Sequence, residues 1–505
     1  MGKKFYVTTA IDYTNDVIHI GHAYQKILAD TLARYHRALG ERVYFLTGTD
    51  EYGETSALAA GVAGKDPKSF VDDISAADQK QLDALNISYD RFIHTTDPDH
   101  AQMVSDFWRK AKDLGDIYFG EYKGLYCVGC ESYKTVRELT SGKCLLHPTR
   151  ELKTILEKNY FFRWSKYANF LKDYINEHPE FIQPEARRTE MMAFIGSGLE
   201  DIPVSRANLK WGIPVPDDPG QVIYVWFDAL INYLTGAPVG FWPADLHLVG
   251  KDNVRWHSLL WPAMLKSAGY PLPKTVYGHG FLSLNGEKIS KSRGNVIRPT
   301  ELTEKYGVDV IRYYLLRYGP LVDDTDLALN KLEEVYNSEL VNGLGNHVAR
   351  VLGLAEKYTG GQVPAITKNQ DQHPLRIGPV SYTWKQAGQD RNTALDKFNT
   401  AQALETIWNY IRAADNYIGE NKPWQMIKEG KKEEVDYLIF GLLDGVHQLA
   451  WLIYPFLPET SRRIAAALKV EALSVDRPLD KNSWTNLKSG TALDTSLKLF
   501  PRRSP

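Results

Sequence analysis

"KFYVTTAIDYTNDVIHIGHAYQKILADTLARYHRALGERVYFLTGTDEYG", residues 4–53, is the stretch that decides the fold. The apolar run at 5–11 reads as a buried strand, and residues 22–39 read as a helix closed by Gly40. "RVYFLTGTDEYG" at 42–53 is a second strand running into a polar loop. Strand–helix–strand with polar strand exits predicts a parallel, doubly wound α/β sheet, in which ligands bind at the carboxyl ends of the strands. Inside the stretch, "HIGH" at 19–22 falls at a strand exit and a helix start. Backbone N–H groups and the helix dipole favour an anion at such a place. Gly21 removes the Cβ that would keep a ligand off the backbone, and the imidazoles of His19 and His22 can donate to phosphate oxygens. Taken alone, the tetrapeptide fits an ordinary polar turn equally well.

The chain has 505 residues, enough for two to four domains and at least one large core. Its 43% hydrophobic and 24% charged fractions are ordinary for a globular protein. Lys+Arg total 60 against Asp+Glu 62, so any nucleic-acid footprint has to be a local patch. No apolar run reaches the roughly 18 residues of a membrane span. The start "MGKKFYVTTA" has no apolar leader region, which makes the cytosol the expected location. Cys127, Cys130 and Cys144 sit in one short segment, an odd and clustered set that argues against a disulfide scaffold.

Along the chain, residues 1–115 carry the first half of the α/β pattern. Residues 116–222 interrupt it, hold every cysteine and end in the Pro/Gly-rich "WGIPVPDDPG", which predicts an inserted domain. The pattern resumes over 223–325 with "QVIYVWFDALINYL", "DLHLVGKD" and "TVYGHGFLSLNGEKISKS" around and within that span. From 326 to 505 the chain reads as a helical bundle. Leu344, Val348, Val351 and Leu352 share one helical face, and so do Val435, Leu438, Leu442, Leu449 and Ile453. "KEGKKEE" at 428–434 reads as a solvated helix edge.

Two further patterns carry chemistry. In "NGEKISKSRGN", 285–295, a hairpin signal precedes Lys288 and Lys291 on a small-residue loop. Two lysines on such a loop suit a polyphosphate whose charge builds during group transfer, although the pattern in isolation also fits a solvated basic loop. Cys127-x2-Cys130 and Cys144-x2-His147, separated by 13 residues, form a Cys3His set. Tetrahedral Zn²⁺ takes four N/S ligands, so this set predicts one closed, structural zinc knuckle per chain. A redox pair or a chance cluster is the alternative.

An early HIGH and a later KISKS, both on strand exits of one sheet, resemble the two signatures of class I aminoacyl-tRNA synthetases. "GTDEYG" at 48–53, "SRANLKWGIPVP" at 205–216, "VWFDALINY" at 225–233 and "GKDNVRWHSLLWPAML" at 250–265 resemble methionyl-tRNA synthetases in particular. "KPW" at 422–424 and "LFPRR" at 499–503 extend the likeness to the carboxy-terminal end. The resemblance implies a Rossmann-like catalytic sheet, a zinc-bearing insertion of the subgroup with one knuckle, and a helical anticodon-binding bundle. It implies ATP-dependent charging of tRNA(Met) with L-methionine through methionyl-adenylate, with Mg²⁺ accompanying ATP.

Methionine offers an unbranched thioether and no charged handle on its side chain, so discrimination needs a shaped aromatic pocket. Tyr13, Trp226, Tyr233, His257 and Trp261 supply rings in the matching motifs, and each taken singly also fits core packing. Asp50, at a strand exit, is placed to hold the substrate ammonium. The family likeness adds Ile11 and Ala229 beside the methionine, Asp252 on the ATP ribose, and Gly21 and Lys291 on ATP. It also assigns Asn346, Arg350 and Trp424 to the anticodon. Without it, Trp424 would read as a core tryptophan. The chain departs from the usual family pattern at Asp12, Tyr52, Asn253, Trp256 and Ile289, and Tyr52 and Trp256 border the inferred pocket. The insertion, of about one hundred residues, is too short for the editing domain of the isoleucine, valine and leucine enzymes. The sequence ends soon after "LFPRR" without the dimerisation appendage that many relatives carry, which leads to the expectation of a monomer.

Overall fold

A computed structural model describes residues 3–130, 132–134, 139–145, 147, 150–289, 294–368, 373–377, 381–472 and 487–502. The first apolar run forms β1 (Lys4–Thr9), and the chain then makes the two-residue β2 (Asp12–Tyr13). Helix α1 runs over Ile20–Ala38, two residues earlier than the apolar period suggests, because His19 caps it. β3 (Arg42–Asp50) and β4 (Arg91–His94) complete the first half of the sheet.

All pairings in the central sheet are parallel. Ile182–Gln183 lies at one edge, followed by Val276–His279, Leu246–Gly250, β1 and β3. β4 lies along β3 as well. β2 continues β1 along β3, with the register slipping by one residue between Thr8↔Leu46 and Asp12↔Thr49. A one-residue slip re-aims every following side chain. It sets the orientation of Asp12 and Tyr13. Because β1 is followed through α1 by β3 on one side and flanked by Leu246–Gly250 on the other, the strand order reverses beside β1. That is the crevice where doubly wound sheets bind ligands.

The insertion expected over 116–222 does not stand apart from this sheet. Ile117–Cys127 and Lys153–Phe162 form a long antiparallel ribbon, joined by Ser132–Lys134 and Ile202–Pro203, but Ile182–Gln183 returns to edge the central sheet. A two-residue strand is too short to give a periodic signal. "QVIYVWFDALINYL" contributes no central strand: Asp218–Ile223 pairs antiparallel with Ser205–Arg206 and Pro214–Val215, and helices Val225–Leu230 and Asn232–Thr235 follow. The boundary expected at 325/326 falls inside a strand. Thr325–Leu327 pairs with Leu282–Leu284, whose other partner, Glu287–Lys288, leads into the lysine loop.

Beyond that point the described residues are mainly helical as far as Leu468, with Asn346–Thr359, Trp384–Leu395, Thr400–Asn421, Lys432–Ile453 and Pro458–Leu468 the longer elements. Both expected apolar stripes are buried, and 428–434 is exposed. Core side chains run without a break from β1 and α1 into these helices. Asp30 of α1 pairs with Arg312 at 2.7 Å, and Arg312 also donates to the Phe456 and Pro455 carbonyls. A fully buried guanidinium satisfied in this way fixes the helical region against α1.

Candidate active site

The HIGH segment is a helix cap. Gly21 N–H donates to His19 Nδ1 at 3.1 Å, His19 N–H donates to His22 Nδ1 at 3.3 Å, and the two rings stack at 3.9 Å. In a neutral imidazole whose Nδ1 accepts, the proton sits on Nε2. Burial, then the neighbouring His22 and Arg298, push His19 down to about 2, so it serves as a neutral donor. A Cβ at position 21 would lie 2.9 Å from His19 Cε1, which is why only glycine fits there.

The same missing Cβ would be 3.9 Å from Ile289 Cδ1. The structure therefore brings the HIGH turn and the start of the KISKS loop together. The Lys288 side chain and all of Lys291 lie outside the described residues. The loop's exit is fastened to the same turn: Ile20 N–H donates to Ile297 O at 3.0 Å, and Arg298 donates to Ile18 O at 3.0 Å and to Asp16 at 3.1 Å. From below, Asp78 accepts the Ile18 N–H at 2.8 Å, with burial and the Asp12 charge pushing its carboxyl up to about 7. Neither Arg298 nor Asp78 was legible in the sequence, since both act on backbone groups distant in the chain. Asp252 stands exposed just past Leu246–Gly250.

On the other side of β1, the expected aromatic residues form a connected wall. Tyr13 meets Trp226 edge-on at 6.4 Å, and Trp226 stacks on Trp256 at 4.8 Å. The Tyr233 hydroxyl and His257 Nε2 are 2.7 Å apart, while His257 Nδ1 lies 2.8 Å from Asn253 O. That second bond puts the proton on Nδ1, so Tyr233 is the donor to Nε2. Burial lowers His257 to about 4 and keeps the ring neutral. Asp50, the last residue of β3, is buried, and Tyr13 pairs with it in register. Ala229 is buried on Val225–Leu230 and Ile11 is half-buried between β1 and β2. Trp261 is fully buried against Tyr233 at 6.2 Å, and its indole N–H has no acceptor among the described residues. It backs the wall. Trp256 joins the wall directly, whereas Tyr52 faces Trp211 at 5.1 Å.

Cys127, Cys130, Cys144 and His147 converge at the end of the antiparallel ribbon, with all four ligand atoms within 4.8 Å of one another. Cys130 Sγ lies 3.5 Å from Cys144 Sγ and 3.3 Å from His147 Nδ1. These are edges of a tetrahedron of the size that suits a metal with bonds of about 2.0–2.3 Å. A Cβ at Gly129 would fall 2.7 Å from the His147 ring, so the knuckle turn admits only glycine. The group can hold a metal ion. It is also docked on the aromatic wall: Trp226 Nε1 donates to Cys130 O at 3.5 Å and Thr55 to Val128 O at 3.3 Å.

In the helical region Asn346 is exposed at the start of Asn346–Thr359, and Arg350 follows one turn later, 3.4 Å from Asp415. Trp424 is 40% exposed at the entry of Pro423–Lys428, so it is a surface aromatic and not a core one.

A doubly wound sheet with HIGH capping the helix at its switch point, and a lysine-bearing loop against that turn, defines the class I aminoacyl-tRNA synthetases. Residues 5–149 and 135–352 match the family model "tRNA synthetases class I (M)", and 384–503 match "Anticodon binding domain of methionyl tRNA ligase". The methionine–tRNA ligase of Caldanaerobacter subterraneus subsp. tengcongensis is 42% identical over 99% of this chain and 79% of its own length. That of Thermotoga maritima is 40% identical over 99% and 80%. The methionyl-tRNA synthetase of Mycobacterium tuberculosis, solved in complex with methionyl-adenylate, superimposes with a TM-score of 0.91 at 37% identity, covering 99% of this chain and 100% of that one. The chain belongs to the methionyl-tRNA synthetase family. Among the described residues no helix is long and apolar enough to cross a membrane.

Proposed function

We propose that this protein charges tRNA(Met) with L-methionine in two steps, through methionyl-adenylate. The observation that carries the reading is the meeting of HIGH and the KISKS loop at the switch point, with the aromatic wall and Asp50 on the neighbouring strand ends. In the first step a methionine carboxylate oxygen attacks the α-phosphorus of ATP and pyrophosphate leaves. The attacking group is already an anion, so no general base is needed, and catalysis rests on positioning and charge stabilisation. Neutral His19 and His22 donate to the transferring phosphates, and Lys288 and Lys291 neutralise the charge that builds on them. Asp252 holds the ribose, and Mg²⁺ travels with ATP. Asp50 holds the methionine ammonium, while Ile11, Tyr13, Trp226, Ala229, Tyr233 and His257 enclose the thioether with Trp261 behind them. A terminal hydroxyl of the tRNA then takes the acyl group and AMP is released.

Cys127, Cys130, Cys144 and His147 hold one structural Zn²⁺, whose chemistry is to lock the knuckle turn. Asn346, Arg350 and Trp424 read the anticodon, with Trp424 stacking on an unstacked base. The same reading has a cytosolic, monomeric enzyme, and light scattering of the purified chain checks the monomer.

Amino-acid-dependent ATP–pyrophosphate exchange across all twenty amino acids tests the proposal, and exchange supported by methionine alone is expected. Lys291→Ala should slow that exchange at least tenfold more than it weakens methionine binding. Equal losses in both would remove Lys291 from the transition state.

A further inference from the structure

Helix Pro67–Ala84 carries none of the catalytic or binding residues named above. Its buried residues are Val71, Ser75, Asp78, Gln81 and Leu82. The inward stripe of a helix is ordinarily apolar. Here Ser75, Asp78 and Gln81 are polar, and their spacing of three makes them neighbours along one face of the helix. Each of the three is bonded to a different segment of the site.

Ser75 Oγ lies 2.8 Å from Thr49 Oγ1 and donates to Glu51 Oε1 at 2.7 Å. Thr49 and Glu51 flank Asp50 at the exit of β3. One turn further along the helix, Asp78 accepts the Ile18 N–H directly before HIGH, at 2.8 Å. After another turn, Gln81 Oε1 accepts the Thr300 N–H at 3.0 Å. Thr300 lies in the first turn of helix Pro299–Tyr306, at the exit of the KISKS loop. A backbone donor can be satisfied by any nearby acceptor or by water. That need alone does not explain why one helix face supplies the partners of three segments far apart in the chain. Bonds from a single rigid element fix the three relative to one another.

We propose that helix Pro67–Ala84 is the template of the active site: Ser75, Asp78 and Gln81 set the mutual spacing of the β3 exit, the HIGH turn and the KISKS loop. All three are positioning residues, which act through the segments they hold. The inference rests on the reading of HIGH, the KISKS loop and Asp50 as the substrate-binding groups.

Because each residue holds a different segment, the variants should fail differently. Methionine-dependent pyrophosphate exchange is measured per methionine site, with sites and affinity titrated by intrinsic tryptophan fluorescence, so the fraction folded does not enter. Gln81→Met removes the acceptor at similar volume and should lower kcat about tenfold, with methionine affinity kept to within about twofold. Gln81→Glu keeps an oxygen at that place and should recover exchange to within about threefold of the parent. Ser75→Ala should show the other pattern, weakening methionine about threefold or more while KM for ATP stays within about twofold. A merely structural helix would lower Tm while exchange per site and methionine affinity changed together or not at all in both variants, and that result overturns the proposal. Lys291→Ala and Asp50→Asn separate the two layers. If they leave exchange and methionine affinity intact, the reading of the substrate-binding groups itself fails. If they abolish them while Gln81→Met and Ser75→Ala match the parent, the template role alone fails.

Discussion

At the scale of single residues, the HIGH turn is a helix cap built from its own side chains. The His19 and His22 Nδ1 atoms are spent on backbone N–H groups, which fixes the tautomer that leaves each Nε2 as a donor. Gly21→Ala would drive a methyl group to within 2.9 Å of the His19 ring and turn it out of place. Misplacement of that order costs roughly a hundredfold in rate, so methionine-dependent pyrophosphate exchange should fall by about that factor. Loss of the cap bond itself costs about 1 kcal/mol of stability. A variant with unimpaired exchange would show that the ring is not held for catalysis. The histidines, the glycine and the aromatic residues could be read from local spacing. Asp78 and Arg298 could not, because a carboxylate that accepts the Ile18 N–H and a guanidinium that donates to the Ile18 carbonyl leave no periodic trace.

At the scale of elements, the knuckle and the aromatic wall are one mechanical unit. The Cys127–Cys130 turn carries the carbonyl that receives the Trp226 indole, so locking the turn also locks a face of the pocket. Elemental analysis should find one zinc per chain. Stripping it with a chelator should weaken methionine binding several-fold and change tryptophan fluorescence; a metal-free chain with full methionine affinity would separate the two elements. The ligand spacing announced the knuckle, but nothing in the sequence placed it beside Trp226. On the helical side, Pro423 starts a helix with Trp424 at its second position and 40% exposed. Stacking on a base is worth about 1–3 kcal/mol. Trp424→Ala should accordingly lower kcat/KM for tRNA(Met) tenfold or more in aminoacylation assays, and a change below twofold would assign the ring elsewhere.

At the scale of the whole molecule, the fold keeps several imidazoles dry. Burial lowers His257, His279, His373 and His447 each to about 4 from an ordinary value of 6.5. As pH falls through 6.5 the unfolded chain takes up these protons and the folded one does not, so stability is lost progressively down to pH 4. Each ring removes up to about 1.4 kcal/mol per pH unit in that window. Thermal unfolding should therefore show a markedly lower Tm at pH 5 than at pH 7, and an equal Tm at the two would contradict their burial as neutral rings. The sequence by itself determined the parallel sheet, the helical second half, the HIGH turn at the helix start, the Cys3His set and the aromatic residues, because strand and helix periods and residue spacings are local and survive in one dimension. Only the tertiary structure decided that Ile182–Gln183 returns to the central sheet, that β2 slips one residue against β3, that Lys26 meets Asp12 and that the knuckle leans on Trp226. These are contacts between separate elements, set by register and by the direction of side chains after the sheet has twisted and closed, and no spacing along the chain encodes them.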